Sequence, residues 1–375
     1  MYTTVNELNR KYQTNLPDLL LPEEIGNPQL WEAQGRPRLK EILQKAEYGT
    51  FPQYDSKNTT FEVQESEKVV GMDAWRKQVA ITTHCGDRSH TFTAYLFTPL
   101  GKEKVPVFLY INRLEWMRRC VIRGTINQRL PIEDITARGY GLIFFCTEEV
   151  SSEMLDTYID YRKGIHDTLG IDSSAEDNLG SIGLWAFAAM RIMDYLETEP
   201  SVDASRVAVV GHSRLGKTAL VAGAFDERFA LTISNDSGAG GAALFKTKGG
   251  EHTEYMVETI PYWFCNRFKE YYRAEEKMPY DQHFLLALAA PRPLYVASAQ
   301  LDDWADPLAE FSAASLASQV YEQVYGITGL ETDQQPPVDT PVNTGNIAYH
   351  VRTGSHNILK YDWHGFMDFA DKYFK

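Results

Sequence analysis

The chain is poor in cysteine. Its 375 residues include four, Cys85, Cys120, Cys146 and Cys265, widely separated and with no C-x-x-C pair. Such spacing offers neither a disulfide framework nor a zinc knuckle, and Cys146, at the end of an apolar run, reads as a small buried hydrophobe. His84, Cys85 and His90 lie close together, but a zinc site needs further ligands at coherent spacing and none follows, so no metal is expected. Basic charge is also scarce: 37 Lys and Arg stand against 51 Asp and Glu, a formal net charge of −14. No basic run supplies the electrostatic footprint of a nucleic-acid binder. No apolar segment approaches the roughly 20 residues of a membrane span. The opening residues, Met1 to Glu7, lack a basic stretch followed by an apolar one. The expectation is therefore a cytoplasmic protein, or a secreted one had a leader been removed.

What the chain does have is material for a large core, with 43% hydrophobic and 12% aromatic residues. Residues 1–57 form a lead-in without a strand pattern, in which Arg36 to Ala46 reads as a short amphipathic helix. Residues 58–375 read as one catalytic domain. Strand-like runs at Thr60–Glu65, Gln78–Thr83 and Thr91–Phe97 are separated by polar turns, as in an antiparallel meander. From Val105 the pattern changes. Val105–Ile111 and Tyr140–Cys146 are nearly continuous apolar runs, as strands buried on both faces should be. The stretches Val207–Val210, Phe229–Asn235, Arg292–Ala299 and Ile347–Val351 repeat the pattern. Between them, helical periodicity appears over residues 130–139, 182–196 and 307–325, with a closing helix over 362–374. This alternation predicts an α/β fold: a mostly parallel sheet with an antiparallel N-terminal lead-in and helices on both faces, a three-layer sandwich.

The chemistry centres on the turn after Val207–Val210, which supports two readings. Gly211-x-x-x-x-Gly216-Lys217-Thr218 matches the phosphate-binding P-loop of NTPases. Gly211-His212-Ser213-Arg214-Leu215-Gly216 also resembles a nucleophile elbow, G-x-S-x-G with its second glycine one place late. The interior of the turn, His-Ser-Arg-Leu, is bulky for a backbone that wraps phosphate. A nucleophilic serine needs a histidine base and a carboxylate to orient it. Both occur downstream in the order expected of an α/β-hydrolase, each at the carboxyl end of a strand: the acidic cluster Asp302, Asp303 and Asp306, then His356 on a glycine turn. The serine reading is preferred because it accounts for three sites rather than one.

Longer stretches then carry a resemblance. Gly211-His-Ser-Arg-Leu-Gly-Lys217, Ser234-Asn-Asp-Ser-Gly-Ala-Gly-Gly241, Pro261-Tyr-Trp-Phe-Cys265, Pro279-Tyr-Asp-Gln-His283, Ala290-Pro-Arg-Pro293, Ser298 to Pro307, and Gly354-Ser-His356 with Asp362-Trp363 follow in order across residues 180–375. Together they resemble the α/β-hydrolase glucuronoyl esterases, carbohydrate esterase family 15, and related bacterial acetyl xylan esterases. The resemblance implies an α/β-hydrolase fold and cleavage of 4-O-methyl-glucuronoyl esters of glucuronoxylan through an acyl-enzyme, with deacetylation of xylan as the alternative activity. It implies no cofactor. It casts Ser213 as nucleophile and His356 as general base. It leaves the acid open between Asp236, where the family commonly has Glu, and Asp302. The Arg214 N–H and the loop after Ile111 would meet the oxyanion, and Lys217, Trp304 and Trp263 would face the sugar, Trp263 being equally suited to the core. Asn112-Arg-Leu-Glu-Trp116 departs from the asparagine- and glycine-rich loop typical of the family.

Overall fold

A computed structural model describes residues 4–113, 128–151, 163–247 and 249–375. Among these residues, nine strands form one sheet in the order β1-β2-β3-β5-β4-β6-β7-β8-β9. The first three, β1 (Thr59–Lys68), β2 (Ala74–Cys85) and β3 (Arg88–Pro99), pair antiparallel, and β3 joins β5 (Gly141–Cys146) antiparallel. From β5 onward every pairing is parallel, through β4 (Val105–Asn112), β6 (Val202–His212), β7 (Leu231–Asn235), β8 (Leu294–Ala299) and β9 (Ile347–Arg352). The predicted mixed, mostly parallel sheet is the observed one. Strands β4 and β5 are buried at every residue, which is why they read as unbroken apolar runs rather than alternating ones.

Alternate side chains of each central strand serve two cores. Val107, Leu109, Val207 and Val209 pack on one face, against Ser181–Leu196, Arg214–Phe225 and Pro307–Gln319. Phe108, Tyr110, Ala208 and Val210 pack on the other, against Ile132–Ala137 and Lys360–Phe374. Helix Ser181–Leu196 is buried along its entire length, and its two charged members, Arg191 and Asp194, pair with each other at 2.6 Å.

Residues 1–57 hold two α-helices of eight residues, Val5–Tyr12 and Arg36–Leu43, and Trp31, Leu39 and Tyr48 belong to the first core. The Arg36 guanidinium donates to the carbonyls of Leu288, at 2.7 Å, and Ala290. The lead-in is thus tied to the turn that precedes β8. No described helix is long and apolar enough to cross a membrane.

Candidate active site

Strand β6 ends at His212 and the next helix begins at Arg214. Ser213 is the entire corner between them, with φ 61° and ψ −132°. A non-glycine residue at positive φ is strained and persists only where its surroundings impose it. Here the Ser213 N–H donates to the Asn235 carbonyl at 2.8 Å, and the Ser213 carbonyl accepts from the N–H groups of Gly216 and Lys217. The two flanking glycines permit close packing. A Cβ on Gly211 would lie 1.8 Å from the Leu215 carbonyl oxygen, and one on Gly216 would lie 2.9 Å from Ser237 Cβ. This geometry overturns the P-loop reading. A one-residue corner has no run of N–H groups to surround a phosphate, and the glycines are needed because the helix presses on the sheet. The corner has the geometry of a nucleophile elbow.

His356 lies on the turn between β9 and the last helix. Its Nδ1 is 2.5 Å from Oδ2 of Asp302, which is nearly buried on the turn after β8 and accepts the Ala305 N–H through its other oxygen. Of the two carboxylates the sequence leaves open, Asp302 is the one that meets the imidazole. Asp236 does something else. Its Oδ2 accepts the Asn357 N–H at 3.1 Å and faces Arg352 Nη2 at 3.4 Å, so it anchors the chain beside the imidazole without touching it. Burial pushes the Asp236 carboxyl well above the usual range; the neighbouring charge of Glu310 adds to this and Arg352 opposes it.

Arg352, which the sequence did not single out, holds the histidine turn. It donates to the carbonyls of Thr353, Ser355 and Asn357 and to the Asp362 carboxylate. Glu310 was also missed, since it reads as an ordinary residue of a helix first turn. Its carboxylate accepts from the N–H groups of Ser237 and Gly238 at 2.8 and 3.0 Å and from Ser298 Oγ at 2.6 Å. It thereby ties β8, the loop after β7 and its own helix together, and burial raises its pKa to about 7.

A cavity of about 250 Å³ opens on Ser213 and His356, with Arg214, Glu251, Trp263 and Trp304 also in its wall. Trp304 is 48% exposed at the rim, edge-on to Tyr255 with ring centroids 5.0 Å apart. Trp263 is at once wall and core: it is nearly buried, and the Arg214 guanidinium lies 4.7 Å from its ring centroid. Lys217 is not in the wall. Its ammonium is buried, donating to the carbonyls of Ser237 and Ala239 and to the Glu251 carboxylate at 2.5 Å. The expected sugar-facing lysine is instead buried against Glu251, a residue of the cavity wall. Glu251 and Tyr255 lay in the long irregular stretch 237–290, where no periodicity marks out a side chain.

The helix that begins one residue after Ser213 presents its positive end and the Arg214 N–H beside the nucleophile, the electrostatics that an oxyanion requires. Of the loop after Ile111, only Asn112 and Arg113 are described; the expectation for residues 114–116 lies outside the described residues, as does Cys120. Arg113 pairs with Glu148 at 3.3 Å. His212, Asp236 and His356 bring potential metal-ligand atoms within 4.8 Å of one another. Asp236 is turned to Arg352 and His356 to Asp302, so these groups are engaged in the network just described.

Comparison with known proteins places this geometry among relatives. A sequence model described as "Glucuronyl esterase, fungi" matches residues 81–325. The chain is 35% identical to Carbohydrate esterase MZ0003, from an unknown prokaryotic organism, over 95% of this chain and 89% of that one. It is 36% identical to 4-O-methyl-glucuronoyl methylesterase 1 of Wolfiporia cocos over 42% of this chain and 40% of that one. Among solved structures, the glucuronoyl esterase of Solibacter usitatus superposes with a TM-score of 0.86 at 33% identity, covering 95% of this chain and 97% of that one.

Proposed function

Because the chain belongs to the glucuronoyl esterase family, carbohydrate esterase family 15, we propose that it hydrolyses 4-O-methyl-glucuronoyl esters of glucuronoxylan fragments through an acyl-enzyme. The observation that carries the chemistry is the Asp302–His356 bond beside the strained Ser213, all three on the wall of one cavity. Ser213 Oγ attacks the ester carbonyl carbon while His356 Nε2 takes its proton. Asp302 holds the imidazole through Nδ1 and stabilises the imidazolium. The developing oxyanion is met by the Arg214 N–H and the helix terminus behind it. Collapse of the tetrahedral intermediate breaks the bond to the alcohol, which leaves with the proton from His356. Water, activated by the same imidazole, then releases the acid and regenerates Ser213.

The wall suits a sugar. Trp304 offers an exposed apolar face to ring C–H groups, and the Glu251 carboxylate can accept from hydroxyls. Relatives named as glucuronoyl esterases support the glucuronoyl ester as substrate, and deacetylation of xylan is not favoured. The test compares two releases by the same enzyme: methanol from methyl 4-O-methyl-glucuronate and acetate from acetylated xylan. Methanol release should dominate and vanish in Ser213→Ala. Dominant acetate release would overturn the substrate assignment, and retained activity in Ser213→Ala would overturn the mechanism.

A further inference from the structure

The catalytic histidine is the least enclosed member of its set. The His356 side chain is 42% exposed, whereas that of Asp302 is 4% exposed. The Asp302 bond fixes one ring atom but leaves rotation about that contact, and a histidine so exposed needs something against its face. The neighbour there is His212, the residue immediately before the nucleophile. The two rings have centroids 4.6 Å apart at an interplanar angle of 41°, within the range in which planar rings attract.

His212 is built to be a fixed wall. It is the last residue of β6, its ring is almost wholly buried, and its Nδ1 lies 2.7 Å from Asn235 Oδ1 on the adjacent strand β7. An amide oxygen only accepts, so Nδ1 carries the hydrogen and the ring has one tautomer and one orientation. Among the described residues, the charged and titratable groups around it are His356, Asp236 at 3.9 Å, Arg129 and Arg352. Burial, then the charge of His356, holds its pKa well below the usual histidine range. Its burial thus favours the neutral form of the ring. In that form it does not repel the imidazolium as a second cation would.

We infer that His212, oriented by Asn235, is a positioning residue for the catalytic base: its ring is the surface against which His356 is held while the proton moves. The inference rests on His356 being the base, as assigned above. Because His212 is anchored in the strand that delivers Ser213, the wall and the nucleophile share one rigid element, so the base is registered to the serine it serves.

The test uses the full chain and three variants alongside His356→Ala. In His212→Ala, kcat should fall about 10- to 100-fold, the scale of a small misplacement of a reacting group, with KM nearly unchanged. His212→Phe, which keeps a ring face, should recover most of that loss. Asn235→Ala, which keeps the ring but frees its orientation, should fall between them. The low-field proton resonance of the His356 Nδ1–H bonded to Asp302 should be sharp in the native protein and His212→Phe, and broadened in His212→Ala and Asn235→Ala. A His212→Phe variant as impaired as His212→Ala overturns the inference. So does native kcat with a native resonance in Asn235→Ala. Activity surviving in His356→Ala would instead overturn the assignment of the base, which keeps the two failures distinct.

Discussion

Asp302 and Asp236 stand at the carboxyl ends of neighbouring strands, both nearly buried, and only one meets the imidazole. Asp302→Asn can accept from Nδ1–H only in one amide orientation and supplies no charge to the imidazolium. It is expected to lower kcat by about 10³- to 10⁴-fold. Asp236→Asn imitates the protonated carboxyl that burial favours and should cost kcat less than about tenfold. Equal losses in the two variants, measured as kcat on a methyl glucuronate ester, would contradict the assignment. Lys217 gives a second residue-level contrast. A lysine whose work was to bind sugar would leave stability untouched when removed. This one satisfies two carbonyls and a mostly buried carboxylate. Lys217→Ala should therefore destabilise the fold by about 3–5 kcal/mol, the cost of stranding a buried charge, as read by urea unfolding. The type and place of Lys217 were legible in the sequence. Its direction was not, because the groups it bonds lie 20 to 34 residues away.

At the scale of elements, the elbow works because helix Arg214–Phe225 is pressed onto the end of β6. Gly211→Ala would set a methyl group against the Leu215 carbonyl and force the helix off the sheet. The expected result is loss of esterase activity together with a stability loss of about 1–3 kcal/mol or more. An active variant of native stability would show that the corner tolerates displacement. The elements themselves were largely readable: all nine strands coincide with apolar or alternating runs, because sheet burial acts on contiguous residues. Cores on both faces made the central strands conspicuous. What could not be read were the joints. Glu310 sits in a helix first turn, a common place for Glu, yet its bonds go to β8 and the loop after β7. Arg352 ends a strand of mixed composition and controls a turn three to five residues on.

The whole molecule encloses ionisable groups that the site does not use, and their titration couples to folding. Glu47, at the end of the lead-in, is buried and accepts from Gln282 Nε2 through both oxygens at 3.0 Å, while Tyr48 donates to the Gly240 carbonyl behind the active site. Burial raises the Glu47 pKa to about 8 and that of Asp281 to about 6. An acid whose folded pKa is raised binds its proton more tightly in the native state. Its stabilising contribution is complete below the unfolded value near 4.5 and is lost as pH rises through the folded one. Between pH 5 and 8, wild-type stability should therefore fall relative to Glu47→Gln, by up to about 1.4 kcal/mol per pH unit. Urea unfolding of both proteins across that range measures the difference, and identical pH slopes would exclude a protonated Glu47.

The sequence by itself determined the sheet, its antiparallel beginning, the serine at its corner, and the histidine that follows β9. Those depend on local runs and on chain order, which are written along one dimension. Tertiary structure alone decided that Asp302 rather than Asp236 meets His356, that Lys217 faces inward to Glu251, and that His212 lies against His356. Each of those depends on which of several equally plausible side chains a strand end or turn aims at a partner more than 15 residues away. Spacing along the chain does not carry that angle; it is set only when neighbouring strands fix their register.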